Sequence, residues 1–200
     1  MNLEQNIIKD LHSCADETRA THNLRFFKTG KGEYGEGDIF LGMTLPQMRE
    51  IVKRYKKTAD LVTIKKLVAD KYHEVRLCGL MLLVELFRAA KTEDRRREIY
   101  DFYMSNLSGI NNWDLVDLTA YNIPGAFLHG KSPKPLFDLA KTKDLWKERI
   151  AIISTMYFIK RGEFETTIKL AESFLNHKHD LMHKAVGWML REVGKKDIKV

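Results

Sequence analysis

Apolar residues return every three or four positions through nearly the whole chain, in stretches of helix length, and strand-like alternation is almost absent. The pattern predicts an all-α protein. Polar start signals punctuate it. Thr44-Leu45-Pro46-Gln47 fits a capping box, and Thr92-Glu93-Asp94 an N-cap with an acidic first turn. Ser132-Pro133 fits an N-cap with proline at the first helical position. Gly162 is placed to end a helix over 145–160.

A weak repeat runs through this pattern. HEVRLCGLMLLVEL (73–86), NNWDLVDLTAYNI (111–123), LWKERIAIISTMYFI (145–159) and DLMHKAVGWMLREV (180–193) recur at roughly 35 to 38 residues, each after a more amphipathic helix. Stacked pairs of this length predict an α-solenoid of HEAT-like antiparallel helical pairs. It would form one domain over 1–200, with one helix of each pair lining a concave, basic face. Periodicity alone leaves an irregular helical bundle open as the alternative.

Three of these helices carry residues that their apolar stripe does not explain. In 113–123, Leu115, Val116, Thr119, Ala120 and Ile123 form the core side, while Trp113, Asp117 and Tyr121 follow at i, i+4 and i+8 on another face. Asp117 lies about 125° from the apolar centre. With Asn112 as N-cap, the helix dipole accounts for Asp114 in the first turn but not for Asp117. In 180–193, Met182, Val186, Met189 and Val193 make the core stripe, and Trp188 points away from it among Lys184, Arg191 and Lys195. A tryptophan among cations suits sugars or bases between phosphates; cover by a neighbouring helix is the other reading. In 145–160, Arg149 falls among residues that are apolar nearly all round, so its guanidinium needs a partner. A bound phosphate and Asp117 are both candidates.

Charge sharpens the picture. The chain carries a formal net charge of +7, and from Lys131 to Val200 there are 15 Lys+Arg against 9 Asp+Glu. That asymmetry points to a polyanion, with nucleic acid ahead of membrane. Against this background, residues 101–130 hold three aspartates and no lysine or arginine. Asp117 therefore has no cationic neighbour in sequence.

Other features narrow the function classes. Gly30-Lys31-Gly32-Glu33-Tyr34-Gly35 is a literal G-x-G-x-x-G, but no strand precedes it, and Glu33, Glu36 and Asp38 would repel phosphate. It is expected to be a flexible loop between helices. His177, His179 and His183 lack the cysteines or the H-E-x-x-H spacing of a metal site, so neither metal nor cofactor is expected. Cys78, inside an apolar helical run, is expected to be a buried thiol. The longest apolar runs fall far short of the roughly 20 residues that span a bilayer, and MNLEQNIIKDL lacks a signal-peptide layout. A cytoplasmic monomer without a membrane partner, nucleoid-associated when on DNA, is the expectation.

WDLVD (113–117), ERIAIIS (148–154) and KAVGWMLRE (184–192), together with GEGDIFLGMTLPQMREI (35–51) and HEVRLCGLMLL (73–83), resemble the DNA alkylation repair glycosylases of the AlkD type. The resemblance spans residues 25–195. It implies duplex DNA with alkylated bases as partner, and excision of N3- and N7-alkylated purines. It also implies functional roles for Trp113, Asp117, Arg149 and Trp188. From the helix faces themselves, Tyr121 in the Trp-Asp-Tyr row and Lys184, Arg191 and Lys195 around Trp188 are expected as further DNA contacts. Members of that family continue into a further helical segment, so the chain ending at Val200 is expected to lack a C-terminal cap. Two other functions compete: a DNA-structure binder without catalysis, and a protein-binding helical scaffold. Lyase chemistry wants a desolvated amine, and no lysine stands near the Trp-Asp row in sequence.

Overall fold

The computed structural model describes residues 2–199. Among them the regular elements are helical, apart from one isolated parallel bridge between Ile39 and Tyr72. No helix among the described residues is long and apolar enough to cross a membrane. The chain forms two compact units, one ending at Asn112 and the other beginning at Trp113.

The first unit contains α1 (Leu3–His12), α2 (Glu17–Phe26), α3 (Leu45–Tyr55), α4 (Leu61–Val68), α5 (His73–Ala89) and α6 (Glu93–Ser105). Helix α5 packs against α1, α3, α4 and α6, which is why its sequence is apolar nearly all round. Cys78 lies fully buried on it, and burial pushes the thiol up to about 12. The capping box at Thr44 and the N-cap at Thr92 form as their sequences predict.

The glycine-rich segment is tied down by its own acids. Gly30 N–H donates to Glu33 Oε2 and Gly32 N–H to Glu36 Oε2, both at 2.8 Å. The amides that a phosphate loop would offer are thus already taken by carboxylates. Asp38 is buried, and accepts hydrogen bonds from Arg76 Nη2 at 2.5 Å and Asn112 Nδ2 at 2.9 Å, with His73 Nδ1 at 3.2 Å. The expected flexible loop is therefore a braced one. Burial alone would raise the Asp38 carboxyl. The His73 hydrogen bond, the Arg76 charge and the Asn112 amide outweigh it and hold the group at about 2.

The second unit contains α7 (Trp113–Thr119), a π turn over Tyr121–Gly125, α8 (Ala126–Leu128), α9 (Lys134–Ala140), α10 (Leu145–Ser154), α11 (Met156–Ile159), α12 (Glu165–Ser173) and α13 (Asp180–Lys196). Helix α10 is its axis: it packs against α7, α9, α12 and α13, and every residue from Glu148 to Ser154 is buried. Leu115, Val116, Thr119, Ala120 and Ile123 are all buried, as are Met182, Val186, Met189 and Val193.

Three boundaries differ from the sequence pattern. The regular α-helix expected over 113–123 gives way after Thr119 to a π turn. Pro124 has no N–H to give Ala120, whose carbonyl instead accepts from Gly125 N–H at 2.9 Å, one residue further on. The helix expected over 145–160 breaks at Thr155. The hydroxyls of Ser154 and Thr155 bond back to the carbonyls of Ile150 and Ile152 at 2.6 and 2.7 Å, which loosens the helical ladder there. Gly162, at φ 80°, follows the end of α11 as expected. Helix α9 begins at Lys134, with Pro133 rather than Ser132 in the cap position.

Two outcomes follow from this packing. Asp38 has a folded value of about 2 against 3.8 unfolded. It therefore contributes stability that is present above about pH 4 and lost as pH falls toward 2. Urea titrations across that range should show the wild type losing roughly 2 kcal/mol that Asp38→Asn does not lose. Equal acid slopes would show that the site does not work this way. Gly125 meets the Ser154 carbonyl oxygen so closely that a Cβ has no room. Gly125→Ala should cost about 3 kcal/mol by chemical denaturation, at the upper end for overpacking. A change under about 0.5 kcal/mol would mean that the contact is not tight.

Candidate active site

Because α10 is buried on all sides, Arg149 has nowhere to send its charge except to protein. Its side chain is 6% exposed. Nε donates to Asp117 Oδ1 at 2.9 Å and Nη2 to Asp117 Oδ2 at 2.8 Å, a two-pronged fork that fixes the plane of the carboxylate. Nη1 donates to the Leu181 carbonyl at 2.5 Å, which joins the pair to the first turn of α13. Asp117 is 16% exposed, largely withdrawn from water but still reachable.

The expectation of an unopposed Asp117 is thus corrected. Its partner lies 32 residues downstream on another helix, where no reading of sequence neighbours finds it. Of the two partners open to Arg149, the structure shows Asp117. Burial pushes the Asp117 carboxyl up; Arg149's hydrogen bonds and charge pull it back, the nearby Asp114 adds to the rise, and the net shift is upward.

The bonds continue past Leu181. Leu181 N–H donates to His179 Nδ1 at 3.1 Å, and His179 N–H donates to His177 Nδ1 at 3.0 Å. Each Nδ1 therefore carries a lone pair, which puts the ring proton of the neutral imidazole on Nε2. His177 Nε2 accordingly donates to Glu148 Oε2 at 3.0 Å. A series of hydrogen bonds thus links Asp117, Arg149, the backbone of Leu181, two histidines and a buried glutamate. Burial, then the neighbouring His177, lowers the pKa of His179, which keeps it in the neutral form that caps α13. His183 stands apart, exposed. No group of three or more His, Cys, Asp or Glu among the described residues is arranged to hold a metal.

The remaining candidate residues fall on two segments. Trp113 and Tyr121 are half-buried, on α7 and in the π turn. Lys160 places its ammonium 4.7 Å from the Tyr121 ring centroid, so a lysine does reach the row in space. It is solvent-exposed, unlike the desolvated amine of lyase chemistry. On α13, Trp188 is half-buried rather than open, and stands one turn before Glu192. Glu192 is held by Lys195 at 2.7 Å. Lys184 pairs with Asp180 at 2.7 Å, and Arg191 is exposed. Such exposed pairs are weakened by water and salt and can exchange for another anion.

Sequence reasoning missed Glu192, Lys160 and the His177–Glu148 pair. Glu192 was findable, at i+4 from Trp188 on a helix. The other two depend on contacts between segments 29 or more residues apart in sequence.

The sequence profile of the DNA alkylation repair enzyme family matches residues 7–200. The chain belongs to that family. A solved structure described as a predicted DNA alkylation repair enzyme from Enterococcus faecalis is similar in fold, with a TM-score of 0.68 at 15% identity, over 92% of this chain and 84% of that one. The all-helical architecture is thus the α-solenoid-like fold of the family. No curated protein matches the sequence significantly.

Removing Arg149 should expose what it does for Asp117. In Arg149→Gln the Asp117 carboxyl loses its main charge-stabilising partner, so carboxyl-detected NMR should find it titrating higher than in the wild type. The variant should also lose about 3–5 kcal/mol of stability. An Asp117 titration that does not move would show that Arg149 is not what keeps it ionised.

Proposed function

We propose that this chain is a DNA glycosylase that removes N3- or N7-alkylated purines from duplex DNA, acting as a monomer. The observation that carries the reading is Asp117, in a family of DNA alkylation repair enzymes: withdrawn from water, held in one plane by Arg149, and still reachable.

A purine alkylated at N3 or N7 carries a positive charge. When its N-glycosidic bond breaks, the bonding pair leaves with the ring and neutralises it, so no general acid has to protonate the leaving group. The sugar left behind is oxocarbenium-like, and water adds to C1′ and gives up a proton. What the enzyme must supply is negative charge beside the sugar. A carboxylate has about four lone-pair sites, and Arg149 occupies two, so Asp117 keeps acceptor positions for that cation or for the attacking water. Arg149 acts through Asp117, keeping it ionised despite burial and fixing its orientation. Trp113, one turn before Asp117, and Trp188 on α13 are assigned to pack against deoxyribose and backbone. Tyr121, Lys184, Arg191 and Lys195 are assigned to the flanking phosphates, and Lys160 joins them through its contact with Tyr121.

The deciding assay is release of 3-methyladenine and 7-methylguanine from methylated duplex DNA, corrected for spontaneous depurination. Wild-type release should fall at least about tenfold, roughly 1.4 kcal/mol of barrier, in Asp117→Asn, which keeps an acceptor oxygen for Arg149. DNA affinity should stay unchanged. No release above background, with salt-sensitive DNA binding intact, would make the protein a DNA-structure binder in which the ion pair only holds helices together. Binding that ignores salt would favour a protein scaffold instead.

A further inference from the structure

Beside the hydrogen-bond chain lies an open pocket of about 380 Å³, lined by Lys143, Glu148, Asn176, His177, Lys178 and His179. Three of these, Lys143, Asn176 and Lys178, make no side-chain hydrogen bond or ion pair among the described residues. Three exposed side-chain donor groups therefore line one cavity without an acceptor from the protein. The single carboxylate in the lining is engaged: Glu148 Oε2 accepts from His177. His177 and His179 are neutral while their Nδ1 atoms accept backbone N–H groups. Two lysines and one glutamate then leave the lining at +1.

That charge discriminates among anions. A phosphodiester carries −1 and is matched; a terminal phosphate near −2 is not. Location favours the diester as well. Glu148 adjoins Arg149 on α10, and the Leu181 backbone serves both: its carbonyl accepts from Arg149 and its N–H donates to His179. A phosphate in the pocket would stand at a fixed place relative to Asp117. We propose that this pocket is a phosphate subsite that holds one backbone phosphodiester of the DNA strand, and through the histidine segment registers that strand on Asp117. The proposal rests on DNA being the partner, though not on excision chemistry.

The test compares the wild type, the double variant Lys143→Gln/Lys178→Gln, and a control, Lys9→Gln/Lys57→Gln, that removes the same charge from exposed lysines of the first unit. Fluorescence anisotropy with an undamaged labelled duplex gives the slope of log K against log salt concentration. Loss of one phosphate contact should flatten that slope by about 0.9 in the pocket variant and leave the control unchanged. An unflattened slope, or equal flattening in the control, overturns the proposal. In a second arm, the backbone amides of residues 176–179 are followed by NMR. They should shift saturably with the duplex and hold still in millimolar inorganic phosphate at a pH of about 8, where that ion is mostly −2. A response to inorganic phosphate alone would make this a free-anion pocket and overturn the diester assignment. Failure of the glycosylase reading is separable: the wild type would release no methylpurine while the slope difference persisted.

Discussion

Asp117 and Arg149 are each too far from water to be stable without the other, and the second unit is arranged around satisfying them. A guanidinium at 6% exposure carries a desolvation cost that only close, well-aligned acceptors offset. Two come from Asp117 and one from the Leu181 carbonyl, so three hydrogen bonds tie α7, α10 and the start of α13 to one group. The tight approach of Gly125 to Ser154 lets the π turn lie against the end of α10, the helix that carries Arg149. The same pair that stabilises the unit orients a carboxylate. In the proposed glycosylase, rigidity and chemistry have one cause.

The balance of charge in that pair explains how a basic protein keeps a negative centre usable. A free aspartate with this burial would tend to take up a proton, and then it could offer no field to a sugar cation. A carboxylate locked to a mobile surface lysine would be screened by a charge that follows it. Arg149 is held from behind by a backbone carbonyl, so it stabilises the anion without being free to swing across its open lone pairs. Cations on α13 are held by neighbouring carboxylates on their own helix and can exchange them for phosphate.

Much of this was legible in one dimension because it rests on local rules. The stripes at Leu115-Val116-Thr119 and Met182-Val186-Met189-Val193 named the core faces, and by subtraction named Asp117 and Trp188 as residues outside them. The capping box at Thr44 was equally local. What sequence could not deliver was pairing between helices. Arg149 demanded a partner, but phosphate and Asp117 were equally good chemistry until geometry chose. Asp38 looked like a deterrent to phosphate in a loose loop; its partners His73, Arg76 and Asn112 are 35 to 74 residues away and turn it into a brace. The π turn was missed for another reason. Pro124 was in plain view, but the helix shifts its hydrogen bonds by one residue rather than ending, and periodicity does not distinguish those outcomes.

The central claim is that Asp117 recognises positive charge on the sugar. It is tested most directly by affinity for two abasic-site analogues in the same duplex: a pyrrolidine, protonated and cationic where the oxocarbenium would form, and an uncharged tetrahydrofuran. If Asp117 serves the sugar cation, the wild type binds the pyrrolidine duplex at least about tenfold more tightly, roughly 1.4 kcal/mol, and Asp117→Asn loses the preference. Equal affinity of the wild type for both, or a preference that survives in Asp117→Asn, would contradict that role and leave the Asp117–Arg149 pair as architecture alone.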